Sequence, residues 1–571
     1  MRQRSIALQI FPIAVVMVLF LGTAASAFAQ RQDAGTFLKL LNQAQEKSQA
    51  QNWAQAIPLW EQVVSANPKM GRFWYALATA QINAGENRKA IASLEKSLDL
   101  GARNLWIIAY QLAQVHALLR EKESTLKWLA RSIELGFRNR EGIRNDQTFA
   151  FLRDDPRFKS LTAEIDAARM SRTEGWRHDL SFLETEIKRM HYHPFHKISQ
   201  ADFEREAERI RAEIPRLTDN QVIVRIMRLM SLIGDGHTGT FPDLTGRWPD
   251  ALPIQFGLFQ EGLFVISADA KYADLVGTQV LRIGELTPEQ VTQAVKPIIS
   301  EDNEQGITRA VVNFIRYPQV LNGLGLQSQS DRIELTVRDA DGKTRTASVV
   351  AEQIDSRFDR IFGHPKWTQV YEKTPGPMPL YLKDRRTNYW FERLPNSKTV
   401  YFQFNLVVNS PTESLSAFVE RLFKFVDEND IDKLIIDMRW NNGGNAMMLM
   451  PLVNGLVRSK VNRPGRLFVI VGRYTFSAAI PAAAWIERHT NAIFVGEPTP
   501  SGPNVIAESN IITLPYSRVP VSISDFFWQG SWPNDRRAWI APLHFVPPSF
   551  DAFKAKRDPA LELILTYPDS N

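Results

Sequence analysis

None of the 571 residues is a cysteine, so disulfides, thiolate metal sites and a thiol nucleophile are all excluded. There is also no basic block and no basic-aromatic stripe. Lys and Arg number 68 against 62 Asp and Glu, and the resulting formal charge of +6 is dispersed, which argues against a nucleic-acid partner. Long apolar runs are scarce too, and the one present opens the chain. There Arg2 and Arg4 precede IALQIFPIAVVMVLFLG, and Ala27-Phe28-Ala29 offers the small residues a signal peptidase reads. This predicts a signal peptide over residues 1–29 and an exported chain, periplasmic or extracellular, with no stable membrane span after cleavage. With no cysteine to follow it, a lipoprotein anchor is excluded as well.

The length predicts three or four domains, each able to bury its own core. From about residue 36 to 140 the chain repeats itself at a period near thirty-four residues. WAQAIPLW at 53–60 returns as NRKAIASL at 87–94 and as KESTLKWL at 122–129, while LDLGARN at 98–104 is echoed by IELGFRN at 133–139. Trp74 and Trp106 occupy equivalent places between these segments. The pattern resembles tetratricopeptide repeats, which implies a helical solenoid over residues 30–170 that binds a protein partner, with DDPRF at 154–158 as its cap.

A second helical segment, 171–245, contains HYHPFH at 191–196. Pro194 interrupts any helical face there and no carboxylate stands at ligand spacing, so a solvated turn is expected rather than a metal site. The segment ends in IGDGHTGTF at 233–241, where glycines turn the chain after an apolar helix and can expose His237. A capping or turn histidine is the alternative. Residues 246–375 then read as short strands, with a helix opening at Thr287-Pro288-Glu289-Gln290. Part of this region is similar to a PDZ-type domain, which implies peptide binding by strand addition; a β-rich insert of another fold fits as well.

The last region, 376–571, reads as an α/β core. In it, two strands of the buried type break on polar turns. IIDMRWNNGG at 435–444 ends on Gly443 and Gly444, and GRYTFSAA at 472–479 opens a helix at Ser477. In an α/β core both turns would meet at the carboxyl edge of the sheet. A serine there is ordinarily an N-cap. Its neighbours favour more: free helix N–H groups, including that of Ala478, and glycine backbones that can approach closely and donate to an oxyanion.

Together these motifs resemble the carboxy-terminal processing and tricorn-core serine peptidases, a superfamily with a crotonase-like core that includes the interphotoreceptor retinoid-binding proteins. The resemblance covers roughly residues 176–567. It implies a multidomain protein in which the repeat solenoid is followed by a helical segment, a β-rich PDZ-like insert and an α/β crotonase-like peptidase core. It also implies a peptide or protein substrate, no cofactor and no metal. In processing peptidases a lysine serves as base in a turn that here reads EPTPSGP, 497–503, and no lysine lies between Ser477 and Lys554. The resemblance therefore assigns the base to His237, with Asp535 to orient it, Glu497 and Glu508 as competing acids, and His544 and His489 as rival histidines. Gly443, Gly444 and Ala478 are the expected oxyanion donors. The opposing class is a binding or scaffold protein without activity, since retinoid-binding relatives hold an apolar ligand.

Overall fold

The computed structural model describes residues 34–101, 105–137, 139–163, 169–354 and 364–568. The expected signal peptide lies outside them, and no helix among the described residues is long and apolar enough to cross a membrane. The chain forms two compact units that part near residue 165.

The first unit is entirely helical. Six helices, α1 (Ala34–Gln49), α2 (Trp53–Ala66), α3 (Gly71–Asn83), α4 (Asn87–Asp99), α5 (Leu105–Leu118) and α6 (Lys122–Glu134), pack each on the next. The repeated segments open α2, α4 and α6, so the repeat spacing is one helical hairpin. Alanines 78, 80, 90, 109 and 113 are fully buried where helices cross, and Trp60, Phe73 and Leu94 fill the spaces between. Neither α2, α4 nor α6 has a side-chain N-cap. Packing of their apolar faces, rather than capping, fixes where these helices begin. The DDPRF segment follows, with Asp155 accepting from Arg157 N at 2.7 Å to start the helix Pro156–Thr162, and Phe158 tilted against Phe149.

In the second unit three helices, Arg172–Met190, Gln200–Glu213 and Asp219–Ser231, precede the strands. Two of them open with capping boxes, at Ser171 with Glu174 and at Thr218 with Gln221. Strands β1 (Asp250–Ala251), β2 (Ile254–Phe259), β3 (Gly262–Ala268), β4 (Gln279–Ile283), β5 (Arg332–Arg338), β6 (Thr344–Val350), β7 (Glu352–Gln353) and β8 (Thr368–Gln369) follow. β2 to β6 make one antiparallel sheet in sequence order, with β8 added on β3, and β1 pairs with β7. The helical segment and this sheet share one hydrophobic core, in which Trp176, Met227, Val265 and Leu335 are all buried.

The core sheet holds β9 (Tyr389–Arg393), β10 (Thr399–Phe404), β11 (Lys433–Asp437), β12 (Leu467–Val471) and β13 (Ile493–Gly496). Beyond them come β14 (Asn504–Thr513), β15 (Pro520–Gln529) and β16 (His544–Phe545). Its order is β16-β13-β12-β11-β10-β9, parallel except for β9. Every residue of β10, β11 and β12 is buried, as expected of parallel strands covered on both faces. The antiparallel ribbon β14-β15 leaves this sheet and reaches the histidine turn, where Gly239 and Ser522 exchange backbone bonds of 3.0 and 2.8 Å.

Leu94 is fully buried between α3, α4 and α5. Its replacement by alanine should cost about 2–5 kcal/mol of local stability, the range for a large-to-small change in a core. Hydrogen exchange should show lost protection over α3 to α5 with unchanged protection in β10 to β12. Equal loss in both units would contradict independent cores.

Candidate active site

Because β11 and β12 are parallel neighbours, the turns that follow them emerge together at the carboxyl edge of the sheet. Two bonds lock one turn to the other, and a third closes the serine turn on itself. Phe476 N donates to Asn441 O at 2.9 Å, Thr475 Oγ1 donates to Met438 O at 2.9 Å, and Gly472 N donates to Thr475 Oγ1 at 3.0 Å. Val407, beyond β10, grips the glycine turn from the other side, donating to Gly443 O at 2.7 Å and accepting from Asn445 N at 2.8 Å. Below them Arg439 donates to Asp437 at 3.0 Å and forms a two-pronged pair with Asp558 at 3.0 and 2.9 Å.

Ser477 stands at the point where strand becomes helix, with φ of +54°, a left-handed conformation that costs a non-glycine residue energy. The helix itself runs Ala479–His489, with Ala478 at its N-cap position. The Ser477 hydroxyl caps nothing and bonds to no described residue. It is left exposed to reaction rather than spent on the helix end.

The glycines have a steric reason. A Cβ on Gly443 (φ +101°) would stand 2.5 Å from the Ser477 Cβ, and one on Gly444 (φ +136°) would stand 2.3 Å from Val407 O. Of the three expected oxyanion donors, two remain available. The N–H groups of Gly444 and Ala478 donate to no described group, and both residues line a small cavity with Ser477. Gly443 does not join them, because its N–H donates to Asn441 Oδ1 at 3.0 Å. Gly443 provides the close approach instead.

The histidine turn is fixed by a buried carboxylate. Asp235 Oδ1 accepts from His237 N at 2.9 Å, Thr238 N at 2.7 Å and Ser524 Oγ at 3.0 Å, while Oδ2 lies 2.8 Å from His191 Nε2. His191, the C-cap of the helix Arg172–Met190, is thus a buried partner of Asp235, not the solvated turn residue expected of HYHPFH. Ser522 Oγ donates to His237 O at 2.7 Å. The His237 ring lies stacked on Phe476, with centroids 4.5 Å apart and planes at 13°. Phe476 is the residue before the serine.

His237 and Ser477 line one cavity of about 250 Å³. They are not hydrogen-bonded to each other, and neither ring nitrogen has a partner among the described residues. Burial pushes the imidazole pKa down from 6.5 to about 4, with nearby Arg309 lowering it and Asp235 raising it. The ring is therefore neutral near pH 7 and able to accept a proton.

Asp535 is placed elsewhere. Its carboxylate accepts from Ser531 Oγ at 2.7 Å and from the Arg537 guanidinium at 2.9–3.2 Å, and it makes no bond to His237. An arginine two residues away satisfies it locally. Glu497 is likewise held by Arg473, and His544 packs edge-on against Tyr567 at the sheet margin. Glu508 does border Ser477, with φ of +67° and its carboxylate accepting from Trp528 Nε1 at 2.9 Å.

Sequence reasoning missed two cavity residues. Glu301 and Arg309 form a buried pair at 2.6 Å, and Glu301 Oε2 has no partner. Arg309 also lies 3.8 Å over the Phe476 ring. Their segment, SEDNEQ, reads only as a helix start, and Asn303 does cap that helix. Next to them Asp302, bonded by Ser501 Oγ at 2.6 Å, has its pKa pushed up to about 7 by burial and by Asp235.

Among known proteins, the tetratricopeptide repeat family model matches residues 47–104. The chain is similar to the structure of mature CPAF complexed with lactacystin, at 12% identity, covering 69% of this chain and 97% of that one, with a TM-score of 0.49. It is similar also to the photosystem II D1 C-terminal processing protease, at 12% identity over 67% and 96% of the two chains, TM-score 0.33. A third is the Yersinia enterocolitica type III secretion translocator chaperone SycD, at 17% identity over 23% and 92%, TM-score 0.17. No curated protein matches the sequence.

Gly444→Ala should force the turn away from Val407 and lower stability by about 1–3 kcal/mol, the usual cost of a residue held in a sparsely populated backbone region. A thermal melt of the full chain gives the test; an unchanged transition of the second unit would show that this approach is not needed.

Proposed function

We propose that the second unit is an exported serine peptidase that hydrolyses peptide bonds through an acyl-enzyme, and that the repeat unit recruits its substrate or a protein partner. The observation that carries this is Ser477: a strained, uncommitted hydroxyl at a helix start, beside two undonated N–H groups and in one cavity with a neutral imidazole. The signal-like residues 1–29 support export.

In the proposed reaction the Ser477 oxygen attacks the substrate carbonyl carbon while His237 takes the hydroxyl proton. Charge builds on the carbonyl oxygen, where the N–H groups of Gly444 and Ala478 meet it. Collapse breaks the C–N bond, and His237 gives the proton to the leaving amine. Water then attacks the acyl group by the reverse route, restoring Ser477. Engagement requires the imidazole to close on the hydroxyl, a bond that commonly tightens only with substrate in place. The antiparallel sheet leaves β2 and β6 as edges, and the expected guiding of peptide by strand addition would use one of them.

A serine-reactive phosphonate should label the full chain once, at Ser477, and the label should vanish in Ser477→Ala. Ser477→Ala and His237→Ala should each lower turnover by roughly three or more orders of magnitude, and the double variant should be scarcely worse, as for groups acting as one unit. Labelling elsewhere, or near-normal turnover of His237→Ala, would sink this assignment.

The pH profile separates the buried ring from a solvated one. Protonated imidazole is inactive as a base, and its pKa is lowered to about 4, so kcat/KM should be flat from pH 8 to 6 and fall only on approaching pH 4. A limb centred at 6.5 would mean that the working ring is solvated. A limb near 7 that Asp302→Asn removes would instead belong to that buried carboxyl.

A further inference from the structure

A second cavity, of about 170 Å³, opens at the same edge of the core sheet but away from Ser477 and His237. Its floor is the carboxyl ends of β12 and β13, and its far wall is β2 of the antiparallel sheet. Phe256, Leu258, Ile266, Val546 and Phe553 make much of this lining apolar. Arginines supply the polar part, and three of them are already matched. Arg473 is paired with Glu497 at 2.5 Å, Arg439 with Asp558 at 2.9 Å, and Arg557 with Glu562 at 2.5 Å.

Arg385 differs. Among the described residues no carboxylate pairs with it; its neighbours are the Tyr371 hydroxyl and the face of Trp440, 5.4 Å from the guanidinium. Burial lowers its pKa, yet a guanidinium stays cationic throughout the working range. Tyr381, whose hydroxyl bonds to no described residue, lines the same space. A half-buried cation without a counter-charge is costly unless something brings one.

We propose that this cavity binds a small monocarboxylate with an apolar body, its carboxylate on Arg385 and its body against the β2 wall. The charge count suits a monoanion: among the described residues one cation of the lining, Arg385, has no carboxylate, while Arg439, Arg473 and Arg557 already have theirs. The apolar residues select against a hydrated ion such as acetate. The inference does not depend on the peptidase reading, because neither Ser477 nor His237 lines the cavity.

Octanoate is a suitable probe, with octanol as its neutral counterpart, titrated calorimetrically into the full chain. Octanoate should bind one to one and at least tenfold more tightly than octanol, as a charge-assisted pair requires. Arg385→Gln should remove that difference, Arg385→Lys should keep part of it, and Ser477→Ala should leave it intact. In the unaltered protein, octanoate should also slow amide exchange in β2, a readout that does not rely on any variant folding. Equal affinity for octanoate and octanol, no saturable binding up to millimolar probe, or full octanoate affinity in Arg385→Gln would each overturn the proposal.

Discussion

The candidate site depends on how closely two loops can approach. The Cα of Gly443 sits against Ser477 so tightly that any side chain on it would collide with the serine's own Cβ. That contact keeps one loop from drifting over the other, while Asn441 ties both, accepting from Phe476 N with its carbonyl and from Gly443 N with its side chain. The left-handed backbone at Ser477 is sustained by these restraints, since a lone serine would relax out of it. The restraints in turn rest on β10, β11 and β12, whose residues are all buried and cannot shift without opening the core.

The histidine reaches the site by a different route, and its environment sets its chemistry. Its turn hangs on Asp235, whose oxygens are occupied by backbone N–H groups, Ser524 and His191. Asp235 therefore positions the main chain of His237 and leaves the ring to Phe476. A ring stacked on an aromatic face and removed from water is uncharged near neutrality, with one ring nitrogen free to accept a proton. Such a group is an available but weak acceptor, so in the proposed reaction developing negative charge on a substrate would have to strengthen it. Glu301 and Asp302, both with pKa raised by burial, add little negative charge at low pH and more as they ionise.

What the sequence reveals follows from how local each signal is. The helical hairpins are legible because the same segment occurs three times at one spacing, and the core strands because parallel strands covered on both faces are continuously apolar. Ser477, Gly443, Gly444 and His237 stand out since each breaks a regular element with an unusual residue, and the cavity does bring Ser477 and His237 together. Roles that depend on distant partners are hidden. Gly443 looked like a donor until Asn441, two residues back, claimed its N–H, and Asp535 looked like a free acid although Arg537 holds it. Glu301 and Arg309 carry no motif; only folding places them against Phe476.

Without disulfides, the strain and cavities at the sheet edge must be supported by packing, hydrogen bonds and ion pairs. The two interiors of the second unit meet there: one joins the three helices to the antiparallel sheet, and the other surrounds the parallel strands. Each side brings arginines to that boundary, and burial there forces a choice for every charge. Arg439 and Arg473 take carboxylates from the core region, and Arg309 takes Glu301 from its own helical segment. Such pairs contribute little net stability once desolvation is counted, but losing one partner is costly; the boundary itself is crossed by Arg473, which also donates to Leu258 O at 2.9 Å. Among the described residues Arg385 lies on that boundary without a carboxylate, so an arriving anion would complete there the pattern already followed by Arg439, Arg473 and Arg309.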